Sequence, residues 1–181
     1  MGMDGIVSLL DSPAYTQVVE IWQDLETECG LTGIKITPLA HFSWQVAENF
    51  DLEKTGDILE RLARKTRPFP ASASGLGIFS GPIPVLYIPV VKDENLLRFH
   101  TALWEETKWV VDGTNGHYSP QAWIPHITLA HGDVDLGKLN CAMQRLAFKP
   151  LILDIRVDNL ALVCQKNDEA GWIKYRFDFH L

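Results

Sequence analysis

Cysteine is scarce in this sequence, with Cys29, Cys141 and Cys164 the only three among 181 residues. They are odd in number, far apart and without a Cys-x-x-Cys pair. That argues against a zinc site or a disulfide scaffold and for a reduced, cytoplasmic setting. Long apolar runs are missing as well. None nears the roughly 18–20 residues of a membrane span, so no membrane association is expected. The first residues, Met1 to Ile6, lack the basic stretch of a secretory signal, and Ile6 stands where a myristoylation signal needs Ser or Thr. Positive charge is in deficit, 16 Lys and Arg against 23 Asp and Glu, for a net charge of −7. Duplex DNA, which demands a basic face, is therefore not an expected partner. A small anionic ligand needs only a few donors and stays open.

What is present is a folded chain, 46% apolar and 10% aromatic. No Pro/Ser-rich linker or low-complexity tract divides it. A strand is expected near 5–10, then a helix capped by Ser12 with Pro13 in its first turn and Gly30 at its end. Residues 38–47 alternate as a strand does, with Phe42, Trp44 and Val46 on one face and His41, Ser43 and Gln45 on the other. Helical spacing returns at 52–65, at 93–110 behind Asp93, and after Asp133. Strand-like stretches fall near 69–80, 84–92, 124–131, 151–156, 159–166 and 171–180, the last two joined by a turn at 167–171. Pro89 marks an edge or a bulge. Residues 112–122 read as a polar loop.

Short turn-linked strands among helices predict an α+β fold with antiparallel or mixed sheets and outer helices. The order helix, histidine-bearing strand, helix, strands recurs about half a chain apart. A bilobal domain over 1–181 is expected, with two pseudo-symmetric lobes near 1–92 and 93–181 around a central cleft, though strands may cross between them.

The repeated feature is His-x-Ser/Thr on a strand, His41-Phe42-Ser43 and His126-Ile127-Thr128. Spacing i, i+2 puts imidazole and hydroxyl side by side on one face. Two such pairs across a cleft supply a general base, a general acid and donors for non-bridging phosphate oxygens, which is the inventory of phosphoester cleavage. Histidine suits both proton roles near neutrality. A third copy, His117-Tyr118-Ser119, lies in the polar loop, so the strand context and the half-chain spacing carry the signal.

In these residues the sequence resembles the 2H phosphoesterases, which include 2′-5′ RNA ligase-like proteins and cyclic nucleotide phosphodiesterases. The likeness covers essentially the whole chain, and the second motif, Trp-Ile-Pro-His-Ile-Thr-Leu over 123–129, matches closely. It implies catalytic His41 and His126, phosphate-binding Ser43 and Thr128, and chemistry on 2′,3′-cyclic phosphate ends or 2′-5′ linkages without a metal or other cofactor. A nucleotide or an RNA 3′-end is the implied partner, and a monomer is expected. Tyr118 and Trp123 are candidates to stack a base.

Other features carry less. His131 has no carboxylate or cysteine cluster to complete a metal site with His126. The glycines at 75, 77 and 81 fit no phosphate-loop pattern, and the basic run 61–67 reads as a solvated helix end. His100 and His180 have no motif context. The rival expectation is a nucleotide- or RNA-end-binding module with little activity.

Overall fold

The computed structural model describes residues 3–166 and 169–180. Met1, Gly2, Asn167, Asp168 and Leu181 lie outside them, and with them the first two positions of the N-terminal reading and the tip of the turn expected at 167–171.

Among the described residues, ten strands and four α-helices succeed one another as β1 (Asp4–Leu9), α1 (Ser12–Cys29), β2 (His41–Phe50), α2 (Leu52–Lys65), β3 (Phe69–Ser74), β4 (Gly77–Phe79), β5 (Val85–Pro89), α3 (Glu94–Thr107), β6 (Val111–Thr114), β7 (His126–Ala130), α4 (Leu136–Leu146), β8 (Ile152–Val157), β9 (Asn159–Cys164) and β10 (Trp172–Asp178). Asp11, extended at φ −74° and ψ 166°, is the N-cap of α1, one residue earlier than expected. Its carboxylate does not cap the helix but accepts the Arg156 backbone N–H at 3.0 Å. Asp51, Asp93 and Asp135 cap α2, α3 and α4 with their side chains, each satisfying a free N–H of the first turn. The polar loop expected at 112–122 contains β6, a short strand that pairs with β2 through Ala47, Asn49 and Phe50.

All the pairings are antiparallel, and they build two layers. The first is a five-stranded sheet in the order β10-β9-β1-β2-β6. The second joins β4-β5-β7 to β3-β8 through a bridge between Ala73 and Val90, just past β5. Helices α2 and α3 pack on the first sheet, and α1 and α4 pack together on the second. The α+β class is as expected, and strands cross between the two halves of the chain, as the sequence reading allowed. Strands β3, β4 and β5, from the first half of the chain, sit with β7 and β8. Strands β6, β9 and β10, from the second half, complete the first sheet. The boundary near residue 92 therefore separates no sheets.

One apolar core holds Phe42, Trp44, Leu59, Leu96, Ile127 and Leu129, all essentially inaccessible to solvent. Burying side chains of this size stabilises by about 1.5–3 kcal/mol each. Where β1 ends against the start of β9, the Asn159 amide accepts from Leu9 N at 2.9 Å and donates to Leu9 O at 2.8 Å. The sequence reading against a disulfide scaffold did not foresee one bridge. Cys29, the last residue of α1, is disulfide-bonded to Cys141 on α4, and Cys164 alone is free. The fold brings together two residues 112 positions apart, which no local spacing announces.

Candidate active site

His41 opens β2 and His126 opens β7, and the two strands continue alike. In each, the first five residues run half-buried, buried, half-buried, buried, buried. The histidine and the hydroxyl residue share the half-buried face, as alternation dictates. In each strand the alternation then breaks at the third residue after the histidine. Val7 pairs with Ser43 and Ile6 with Gln45, leaving Trp44 as an extra residue in β2. Tyr87 pairs with Thr128 and Leu86 with Ala130, leaving Leu129 extra in β7. Both motifs thus end in a β-bulge, a device that re-aims side chains and recurs beside active sites. The bulge corrects one expectation: Gln45 leaves the histidine face and is fully buried, taking a hydrogen bond from the Thr107 hydroxyl at 2.5 Å.

The imidazoles are held alike too. His41 Nδ1 lies 2.5 Å from Leu39 O and His126 Nδ1 lies 2.7 Å from Ile124 O, each the carbonyl two residues upstream. A carbonyl only accepts, so each Nδ1 carries the hydrogen and Nε2 is left for a substrate. Burial depresses the pKa of both rings, because a charged imidazole loses its solvation there. The carbonyls oppose that effect, and the charge of His126 lowers His41 further.

The hydroxyl residues are fixed through their backbones. Trp123 Nε1 donates to Ser43 O at 2.9 Å, and Trp22 Nε1 donates to Thr128 O at 3.0 Å. Trp123 is fully buried and stacked on His100 with ring centroids 3.8 Å apart, so it has no free face for a base. That corrects its expected role. Tyr118 is half-buried on the Ser43 side of the site, and burial pushes its pKa up.

Two aromatics that sequence reasoning missed flank His126. Phe79 meets the imidazole edge-on with centroids 4.8 Å apart, and Tyr87 does so at 5.3 Å. They stack on each other at 4.1 Å. Gly77 makes room for this pair, since a Cβ there would lie 2.4 Å from the Tyr87 ring. The glycine-spaced segment at 75–81 therefore shapes the surroundings of His126 by close approach.

The remaining candidates stay apart from the site. His117 and Ser119 fall in and beside a 3-10 turn, on no strand. His131 lies past the end of β7, and no group of three or more His, Cys, Asp or Glu suited to a metal occurs among the described residues. His100 is buried behind Trp123 and bonds Trp44 O at 3.0 Å. Arg61 and Arg64 are paired with Glu106 and Glu60 on the surface. Two cavities of about 310 and 540 Å³ are lined by none of the motif residues. No described helix is long and apolar enough to cross a membrane.

A family model described as the 2′-5′ RNA ligase superfamily matches residues 38–169, which span both motifs. A protein of Oceanobacillus iheyensis that carries the name of a phosphoesterase is 25% identical over 130 residues, covering 72% of this chain and 71% of its own. Among solved structures, Escherichia coli LigT in complex with 3′-AMP superposes with a TM-score of 0.61 at 12% identity, over 99% of this chain and 98% of that one. A structure described as a phosphoesterase gives 0.59 at 13% identity, over 99% of both chains. These structural likenesses speak to the fold.

Proposed function

Since the chain belongs to the 2′-5′ RNA ligase superfamily, we propose that it is a phosphoesterase that opens 2′,3′-cyclic phosphate ends of RNA or nucleotides, or cleaves 2′-5′ linkages, with two histidines and no metal. The observation that carries this reading is the equivalence of the two half-sites. Each presents an imidazole with Nδ1 tied to a carbonyl and a hydroxyl two residues on.

One neutral imidazole takes the proton of the attacking water as its oxygen bonds to phosphorus. The other, protonated, gives its proton to the ribose oxygen as that P–O bond breaks. Ser43 and Thr128 donate to the non-bridging oxygens, where negative charge accumulates. The product is a ribose phosphate monoester, and the exchange of roles between two alike histidines makes the reverse, ligating direction available. The stacked Phe79 and Tyr87 give the His126 side an aromatic wall suited to a nucleobase. Both half-sites come from one chain, so a monomer suffices.

The test is turnover of a panel of nucleoside 2′,3′-cyclic phosphates and 2′-5′ dinucleotides, with products analysed. His41→Ala and His126→Ala are each expected to abolish cleavage, and EDTA to leave it unchanged. Undiminished turnover in either variant overturns the mechanism. Wild-type protein that binds these compounds without ever converting them is a binding module instead.

A further inference from the structure

We propose that Trp22 and Trp123 are a matched pair of positioning residues, whose indole N–H groups hold the backbone of Thr128 and Ser43 so that the two hydroxyls stay aimed at the substrate phosphate. This rests on the phosphoesterase reading above. Both carbonyls lie where a strand partner is missing. Strand β6 pairs with β2 only from Ala47 onward, so Ser43 is beyond its reach. Strand β7 stands at the end of its sheet. The bulges at Trp44 and Leu129 interrupt the ladder on the other side. A carbonyl in that position is left to find another donor. Both found are indoles, at 2.9 and 3.0 Å.

The match is specific. Among the described residues, the indoles that donate to a main-chain carbonyl are those of Trp22 and Trp123, and each chooses the hydroxyl residue of a motif. Trp44, by contrast, donates to the Ser8 hydroxyl. Trp123 is itself immobilised between neighbours, stacked on His100 and, at 5.4 Å, on Trp44, with its carbonyl taking the Lys92 ammonium at 3.0 Å. It stands three residues before His126, so its bond to Ser43 ties one half-site to the other and sets their spacing. Trp22 holds Thr128 from the helix layer, through α1. Neither residue touches the reacting atoms; both act through the hydroxyl residues.

The experiment is steady-state kinetics on a nucleoside 2′,3′-cyclic phosphate. Trp123→Phe and Trp22→Phe each keep an aromatic ring and remove the donor. Each is expected to lower kcat by about tenfold or more with KM changed by less than about threefold, and to leave the pH limbs where they are. The decisive readout is a double-mutant cycle. In a Ser43→Ala background Trp123→Phe adds less than about twofold, as does Trp22→Phe in a Thr128→Ala background, whereas the crossed pairs multiply. Benzothienylalanine at 123, the same bicyclic shape without N–H, reproduces the loss even if phenylalanine disturbs folding. Leu59→Ala, on the buried face of α2, lowers stability without this kinetic pattern. Losses that multiply within the matched pairs, or an undiminished kcat, overturn the proposal. If the wild type turns nothing over, the functional reading fails by itself, and titration with inorganic phosphate, monitored by the His41 and His126 ring resonances, takes over. Weaker phosphate binding in Trp123→Phe, absent in the Ser43→Ala background, upholds positioning; unchanged binding ends it.

Discussion

Trp44 and Leu129 hold the same place in the two half-sites: each is the third residue after a motif histidine and each is the unpaired residue of a β-bulge. The bulge ends the run of alternation that begins at the histidine, so the face shared by imidazole and hydroxyl is two side chains long and no more. The hydroxyls are the last functional groups on that face, which makes them separable from the rest of each strand. Ser43→Ala and Thr128→Ala are expected to lower kcat by about 10²–10³-fold each, the range found for a lost donor to transition-state charge, with a smaller change in KM. Equal losses in both parameters, or none, would argue against contact with the developing charge.

The histidine pair also has a pH signature. Burial lowers both pKa values below 6.5, and the charge of His126 lowers His41 further. Catalysis needs one ring neutral and one protonated, and kcat/KM reports the free enzyme. Its profile against pH is therefore expected to be bell-shaped, with a maximum on the acid side of 6.5. A maximum at 8, or a flat profile, would be incompatible with two depressed imidazoles sharing the work.

Gly77 offers a way to move one of those groups without touching it. A methyl at this position would lie 2.4 Å from the Tyr87 ring and must displace it from its place beside His126. Solvent then reaches the imidazole, and the cause of its depressed pKa weakens. In Gly77→Ala the His126 ring resonance is expected to titrate closer to the ordinary histidine value while His41 changes less. An unmoved His126 titration would show that Tyr87 does not supply the cover.

The catalytic face is legible in the sequence because it obeys period two: His41 and Ser43, or His126 and Thr128, land side by side in any strand. The residues beyond each hydroxyl are not legible, since a bulge adds one residue with no compositional mark, and so simple alternation puts Gln45 on the wrong face. Phe79 and Tyr87 escape a sequence reading because their approach to His126 depends on how β5 registers against β7 and on the space at Gly77. Strand β6 hides in a polar loop because Val111 is its one apolar side chain on the core, and backbone pairing with β2 holds the rest. Trp123 is visible as a neighbour of the second motif, but its burial depends on α3, which supplies His100 beneath it.

His100 links the interior to acid stability. Burial holds its pKa down at about 4, against 6.5 in the unfolded chain. Between these values the unfolded state binds the proton and the folded state does not, so stability is fully present above pH 6.5 and is lost as pH falls toward 4. The loss from this one group is about 3 kcal/mol. Urea unfolding across that window is expected to show the decline, with a shallower slope in His100→Gln. The same slope in both proteins would assign the acid sensitivity elsewhere.

The disulfide makes the last prediction. Cys29 and Cys141 close a loop of 112 residues, and cross-linking so much chain restricts the unfolded state, for a stabilisation of about 2–4 kcal/mol. The same two helices are also tied by Arg145 to Asp24 and Glu28 and by Lys149 to Asp24, whose carboxyl these cations hold down to about pKa 2. Those pairs are partly exposed, worth at most about 1 kcal/mol each, so the covalent link dominates the contact between α1 and α4. Reduction, or Cys141→Ser, is expected to lower the urea midpoint accordingly, and thiol counting in denaturant without reductant should find one free thiol, Cys164. Three thiols in the untreated protein, or a midpoint indifferent to reductant, would show that α1 and α4 are held by packing and ion pairs alone.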